Sequence, residues 1–360
     1  MQKLNVGILG ATGMVGQRFI QLLHNHPWFE IKILAASPRS AGKKFGDLMN
    51  GRWAMNTALP PEIAELIVLD AAADKEKIAA EVDFVFCAVD LDKQATLDLE
   101  EAYAKLECPV VSNNSANRLV DDVPMIIPEL NDNHADLISA QKIRLGTKRG
   151  FIAVKSNCSL QSYVPALYPL KHFGIKRVLV CTYQAISGAG KTFETWPEMV
   201  DNVIPYIGGE EEKSQTEPLK ILADVQNGKL IEPKSTDFTC QCIRVPASDG
   251  HLAAVFVEFE NKPAKDEIIK IWNEYKGAAQ KLSLPTAPKQ FLNYYTEDNF
   301  PQTKLHRDEQ NGMAIHLGRL REDSQFDFKF IGLSHNTLRG AAGGALLMAE
   351  LLHAKEFFNK

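Results

Sequence analysis

The sequence is short of the features that mark a secreted, membrane or polyanion-binding protein. Its first residues, MQKLNVGILG, read as a buried strand running into a glycine turn, with neither an apolar leader nor a cleavage site. Charge is nearly balanced: 40 Lys and Arg stand against 45 Asp and Glu, a formal net charge of −5, with both signs interspersed. No basic face is left for nucleic acid or an anionic membrane. Six cysteines scattered over 360 residues form no disulfide framework, and several sit in apolar runs where a reduced thiol packs as a small hydrophobe. Internal repeats and low-complexity tracts are missing too. The expectation is a reducing, cytoplasmic setting and a small-molecule substrate, with no nucleic-acid or membrane partner.

What is present is length and patterning. A chain of 360 residues exceeds the size at which a single core stops growing, so two domains are expected. The first 110 or so residues alternate apolar runs (LNVGIL, IKILAAS, LIVLD, DFVFCAV, CPVVS) with amphipathic stretches, the pattern of βαβ units around a parallel sheet covered on both faces. Val15, Phe19, Leu22 and Leu23 give the first helix its sheet-facing side. After Lys155 come a helix over SLQSYVPALYPLKHF and longer strand-like runs, which predict a largely antiparallel sheet with helices over 212–226 and 265–276. One loose loop is expected at 283–289. The fold class expected is α/β: a Rossmann-like N-terminal domain over 1–155, completed by an apolar C-terminal helix over 337–360, and an α+β domain over 156–336.

The first strand runs straight into Gly10-Ala11-Thr12-Gly13-Met14-Val15-Gly16. Glycines allow a tight turn and close approach to a pyrophosphate, which rests on free amides and the positive end of the helix. At the first strand-to-helix junction of a βαβ pattern, this predicts dinucleotide binding. The second strand ends in Ser37-Pro38-Arg39-Ser40, with no carboxylate to meet a ribose 2′-hydroxyl and with an arginine suited to a 2′-phosphate. NADP is the cofactor expected.

Among the cysteines, Cys87, Cys108, Cys181, Cys240 and Cys242 read as packing residues, and Cys240 with Cys242 lacks a second ligand pair for a metal. Cys158, in Ser156-Asn157-Cys158-Ser159, stands at the expected start of a helix, where amides and the macrodipole lower a thiol's pKa. Its expected proton partner is His251, which follows an Asp-Gly turn at the head of a strand and belongs to the residue type that titrates near neutrality. His24, His26, His134 and His353 read as helical or loop surface residues.

Six segments together, GATGMVGQ, SNCS, YQAISGAG, PYIGGEEEK, RVPASDGH and NTLRGAAGG, resemble the aspartate-semialdehyde dehydrogenase family in the branch typical of archaea and fungi, over nearly the whole chain. The resemblance implies NADP-dependent reductive dephosphorylation of L-4-aspartyl phosphate to L-aspartate 4-semialdehyde, through a Cys158 thioester, in the biosynthesis of lysine, threonine, methionine and isoleucine. It makes His251 the acid/base, Gln184 the residue that positions the acyl group, and Asn157 the neighbour of the nucleophile. Arg244 matches the arginine that grips the substrate carboxylate, and Glu210 would meet the substrate amine, in a register left ambiguous by Glu211 and Glu212. Lys213 and Arg118 would hold phosphate. Ser187, Gly188, Gly190 and Asn336 would approach the nicotinamide side, no metal is implied, and the family's habit suggests a homodimer or homotetramer. The alternatives are malonyl-CoA reductase, N-acetyl-glutamyl-phosphate reductase, or, in another class, a non-catalytic NADP-binding sensor.

Overall fold

A computed structural model describes residues 3–359. Six parallel strands form the first sheet: β1 (Leu4–Leu9), β2 (Phe29–Ala36), β3 (Leu69–Asp70), β4 (Phe84–Cys87), β5 (Val110–Ser112) and β6 (Ile152–Val154), ordered β3-β2-β1-β4-β5-β6. The order reverses at β1, so the crevice at the carboxyl ends of β1 and β4 is where such a sheet takes a ligand. On the first helix, Met14–Leu23, Phe19, Ile20 and Leu23 are buried, whereas Val15 and Leu22 are only half-buried.

The second sheet begins with β7 (Ile175–Gln184), and a separate short hairpin of β8 (Asp224–Gln226) and β9 (Lys229–Ile231) precedes its other strands. The sheet comprises β7, β10 (Asp237–Arg244), β11 (His251–Phe259), β12 (Leu292–Tyr295), β13 (Ile315–Glu322) and β14 (Phe328–Ser334), ordered β10-β7-β11-β14-β13-β12. The three inner ladders are antiparallel, but the outer ladders, β10 with β7 and β12 with β13, are parallel, so the sheet is mixed rather than largely antiparallel.

Two helix expectations change for a stated reason. The stretch after Cys158 is a 3₁₀ turn over Ser159–Ser162, one α-turn over Val164–Leu167 and a second 3₁₀ segment over Tyr168–Phe173. Pro165 and Pro169 lack the amides that a continuous helix would use. The helix expected at 212–226 runs instead over Glu210–Leu222 and carries Pro218 inside it. Pro218 cannot bond the Ser214 carbonyl, and the buried Tyr163 hydroxyl donates to that oxygen at 3.1 Å.

The loop at 283–289 is not loose, because the Thr286 amide and hydroxyl both donate to the buried Glu350 carboxylate. His26 and His134 are buried rather than superficial. The first pairs with Glu350 at 2.9 Å; the second lies 2.9 Å from the Ala223 carbonyl. The last helix, Gly343–Ala354, shares an apolar cluster with β1 and β4 through Leu346, Leu347 and Leu351, each buried leucine contributing about 1.5–3 kcal/mol. That docking carries the preceding Leu338–Ala342 turn, with Gly340, against Cys158.

Candidate active site

At the end of β1 the glycines are required by close approach. A Cβ on Gly10, whose φ is +87°, would lie 2.3 Å from the Ala88 carbonyl oxygen, and one on Gly16 would lie 2.3 Å from the Gly10 carbonyl oxygen. The amides of Gly10 and Ala11 both donate to the Ala35 carbonyl, so they are not free for an anion, and Ala11 is fully buried. Among the described residues, the amides of Thr12, Met14 and Val15 have no acceptor, and these open the helix. The adjoining cleft, ≈ 370 Å³, is lined by Gly10, Thr12, Gly13, Ser37 and Arg39. Ser40 closes the turn behind it by donating to the Ser37 carbonyl. Arg39 is exposed, and Arg52, which the sequence reading missed, joins it on the rim. Asp70 also reaches this cleft, but its carboxylate already accepts the amides of Ala72 and Ala73. The cradle, the free amides and the unopposed guanidinium fit a phosphorylated dinucleotide.

A second cavity, ≈ 340 Å³, adjoins the same helix start and joins the two domains' residues. Met14 and Val15 line it together with Cys158, Arg118, Lys213, Ser187, Gly188, Gly190 and Asn336. Cys158 Sγ lies 3.5 Å from His251 Nε2. Gly340, from the turn before the last helix, packs so closely that a Cβ there would sit 2.9 Å from Cys158 Cβ. Asn336 ties the two sides together: its amide donates to Ser187 Oγ at 2.8 Å, and its carbonyl accepts the Gly250 amide beside His251 at 2.8 Å.

Behind the sulfur lies a connected polar layer. Glu210, the first residue of helix Glu210–Leu222, accepts from Asn157 Nδ2 at 2.9 Å, Gln184 Nε2 at 3.1 Å and Lys213 Nζ at 3.0 Å. Of the two glutamates that follow, Glu211 accepts the Cys242 amide, and Glu212 is exposed. Burial opposes the Glu210 charge, yet Lys213 and the amide donors outweigh it and hold the carboxyl below its ordinary value. Glu217 accepts from the Asn157 amide at 2.6 Å and from Arg118 Nη1 at 3.0 Å. Arg244 donates to the Ala185 carbonyl at 2.7 Å, and a Cβ on Gly188 would come within 3.0 Å of its Nη1.

Two electrostatic expectations are corrected. The Cys158 thiol is not lowered by a helix end, since no continuous helix follows it; burial pushes it up, Glu210 adds to the rise, and Lys155, Arg118 and Arg244 oppose it. His251 does not titrate near neutrality, because burial, with Arg244 second, lowers it to about 3. Its Nδ1 accepts the Ala185 amide at 3.0 Å, so the neutral ring carries its proton on Nε2, facing the sulfur. Of the other cysteines, Cys181 is half-buried rather than packed, while Cys87, Cys108, Cys240 and Cys242 are buried. Lys155, Glu217 and Gly340 escaped the sequence reading, for they lie inside runs that read as strand, helix and packing glycine.

Comparison with known proteins agrees over both sheets. Residues 5–138 match the family model of the semialdehyde dehydrogenase NAD-binding domain, and residues 167–339 match that of the semialdehyde dehydrogenase dimerisation domain. An aspartate-semialdehyde dehydrogenase of Methanothermobacter thermautotrophicus is 41% identical over 97% of this chain and 99% of its own length. That of Saccharomyces cerevisiae is also 41% identical, with 97% of each covered. A crystal structure of aspartate-semialdehyde dehydrogenase with NADP from Candida albicans superposes with a TM-score of 0.88 at 38% identity, covering 99% of this chain and 100% of that one.

Proposed function

The chain belongs to the aspartate-semialdehyde dehydrogenase family, and from that premise we propose that it reduces L-4-aspartyl phosphate with NADPH to L-aspartate 4-semialdehyde and phosphate, through a thioester on Cys158. The observation that carries this reading is the sulfur of Cys158, 3.5 Å from His251 Nε2, in a cavity shared with the helix start Met14–Val15 and with two cations, Arg118 and Lys213. Cys158 Sγ attacks the acyl carbon, the bond to the phosphate oxygen breaks, and Arg118 and Lys213 hold the departing phosphate. The Thr12, Met14 and Val15 amides and Arg39 would hold NADPH, which would supply the hydride. Sulfur then leaves as thiolate and the aldehyde is released. Starting from thiolate, there is no proton to take from the sulfur and hydride transfer needs none; the one proton the overall reaction consumes is taken up by the departing phosphate, whose trianion is too basic to persist at neutral pH. His251 therefore serves best as an Nε2–H donor to the anionic sulfur and the developing oxyanion.

Arg244 takes the substrate carboxylate and Glu210 its ammonium, while Gln184 and Asn157 orient the acyl group beside Glu210. Ser187, Gly188, Gly190 and Asn336 shape the nicotinamide side. We read the domain division as 1–155 with 337–360, and 156–336. The match to a dimerisation domain supports a homo-oligomer, and we propose a homodimer or homotetramer, working in the cytoplasm in the biosynthesis of lysine, threonine, methionine and isoleucine. The test is NADP reduction by aspartate semialdehyde with and without phosphate, run beside malonate semialdehyde and CoA. Phosphate-dependent reduction with aspartate semialdehyde is expected; a preference for CoA would overturn the acyl-phosphate reading.

A further inference from the structure

The Cys158 sulfur has to be held as an anion, yet its surroundings oppose this. Burial raises the thiol, and Glu210 raises it further. His251 faces the sulfur with an N–H but brings no positive charge, because its ring stays neutral. The charge must come from elsewhere, and most cations nearby are committed. Arg118 is paired with Glu217, Lys213 with Glu210, and Arg339 with Glu129 through two hydrogen bonds. Among the described residues Arg244 has no carboxylate partner, and the proposed function gives it to the substrate; Arg18, also in the cavity wall, donates to Gln21 Oε1 at 2.8 Å.

Lys155 remains. It follows β6 directly, lines the same cavity as Cys158, and is only 2% exposed. Its Nζ donates to the Ser156 carbonyl and, among the described residues, pairs with no carboxylate. An ammonium buried without an acid partner is costly unless an anion answers it. We propose that Lys155 is a positioning residue that serves as the fixed counter-ion of the Cys158 thiolate. It acts through the sulfur and does not touch the substrate. The groups that face the pair come from five other segments: Arg118, Glu210 and Glu217, Arg244, His251 and Arg339. Burial first, then Arg118, brings the Lys155 ammonium down to about 7, while Cys158 and Glu217 favour its charge. The ammonium support for the sulfur therefore weakens as pH rises above neutrality.

The inference rests on Cys158 as the nucleophile, but its test reads the thiol without turnover. The full-length enzyme is alkylated with iodoacetamide across a pH series, and the Cys158 peptide is quantified by mass spectrometry. Lys155→Met keeps an apolar stem and removes the charge; its alkylation midpoint is expected to rise by about one pH unit, with about tenfold slower modification at neutral pH. Lys155→Arg keeps the charge and should stay close to the parent profile. An unchanged midpoint in Lys155→Met, or an equal shift in Lys155→Arg, overturns the proposal. Should Lys155→Met fail to fold, Lys155→Gln is measured under the same criteria. A Cys158→Ala enzyme that still turned over would instead sink the proposed function and leave the alkylation result standing.

Discussion

The two cavities at the start of the first helix are built by opposite means. The cleft beside Gly10 and Arg39 takes most of its chemistry from two short contiguous segments, the glycine turn at 10–13 and the turn at 37–40. Its partners are half-open to solvent. The cavity around Cys158 draws on segments near 118, 155, 188, 213 and 336, with Arg118, Lys155, Asn157 and Asn336 buried around it and Gly188 exposed at its mouth. In the first, one substitution weakens one contact; in the second, each side chain holds another in place, so effects do not stay local.

The largest break in that comparison is Cys158→Ala, expected to lose several orders of magnitude in turnover while NADPH binding, followed by fluorescence titration, stays unchanged. Gly340→Ala comes next. Its Cβ would sit 2.9 Å from Cys158 Cβ, so the nucleophile must shift, and a displacement of that kind costs on the order of 10²-fold in kcat/KM. Arg39→Ala acts on the open side: KM for NADPH is expected to rise about tenfold, as for loss of one charge-assisted contact, with kcat nearly unchanged. Equal losses in kcat would show that the two cavities are not separable.

The smallest effects concern stability. Tyr163→Phe leaves the Ser214 carbonyl without its donor and should cost about 1–3 kcal/mol in urea unfolding, with the midpoint and not the slope displaced. Acid sensitivity follows from the buried imidazoles. Burial lowers His251 to about 3 and His134 and His316 to about 4, against an unfolded value near 6.5. Over that interval the unfolded chain binds more protons, so stability rises with pH from about 4 to 6.5 and is lost as pH falls. Urea midpoints measured at pH 5 and 7 check the sign; a higher midpoint at pH 5 would contradict it.

The same contrast explains what could be read from the sequence. The glycine turn was legible because its function lies in consecutive residues, and the strands because their apolar runs persist through both sheets. The order of β12 and the parallel pairing at both edges of the second sheet were not, since pairing direction depends on connections that local patterning does not encode. Cys158 was singled out, but for a helix end that Pro165 and Pro169 prevent. His251 was singled out too, although its usefulness comes from a neutral ring fixed by the Ala185 amide rather than from titration near neutrality. Lys155 looked like the polar end of a strand. Only the fold shows that it turns inward.

The contact of Gly340 on Cys158 also has a consequence in time. Of the segments that shape the cavity, the one carrying Asn336 to Ala341 leaves the ribosome last. A nascent chain that already displays the cysteine and the glycine turn still lacks the wall that closes over the sulfur. Completion of the pocket thus waits until that segment has been made and folded, and a polypeptide cut short before it would expose a thiol without the wall that encloses it.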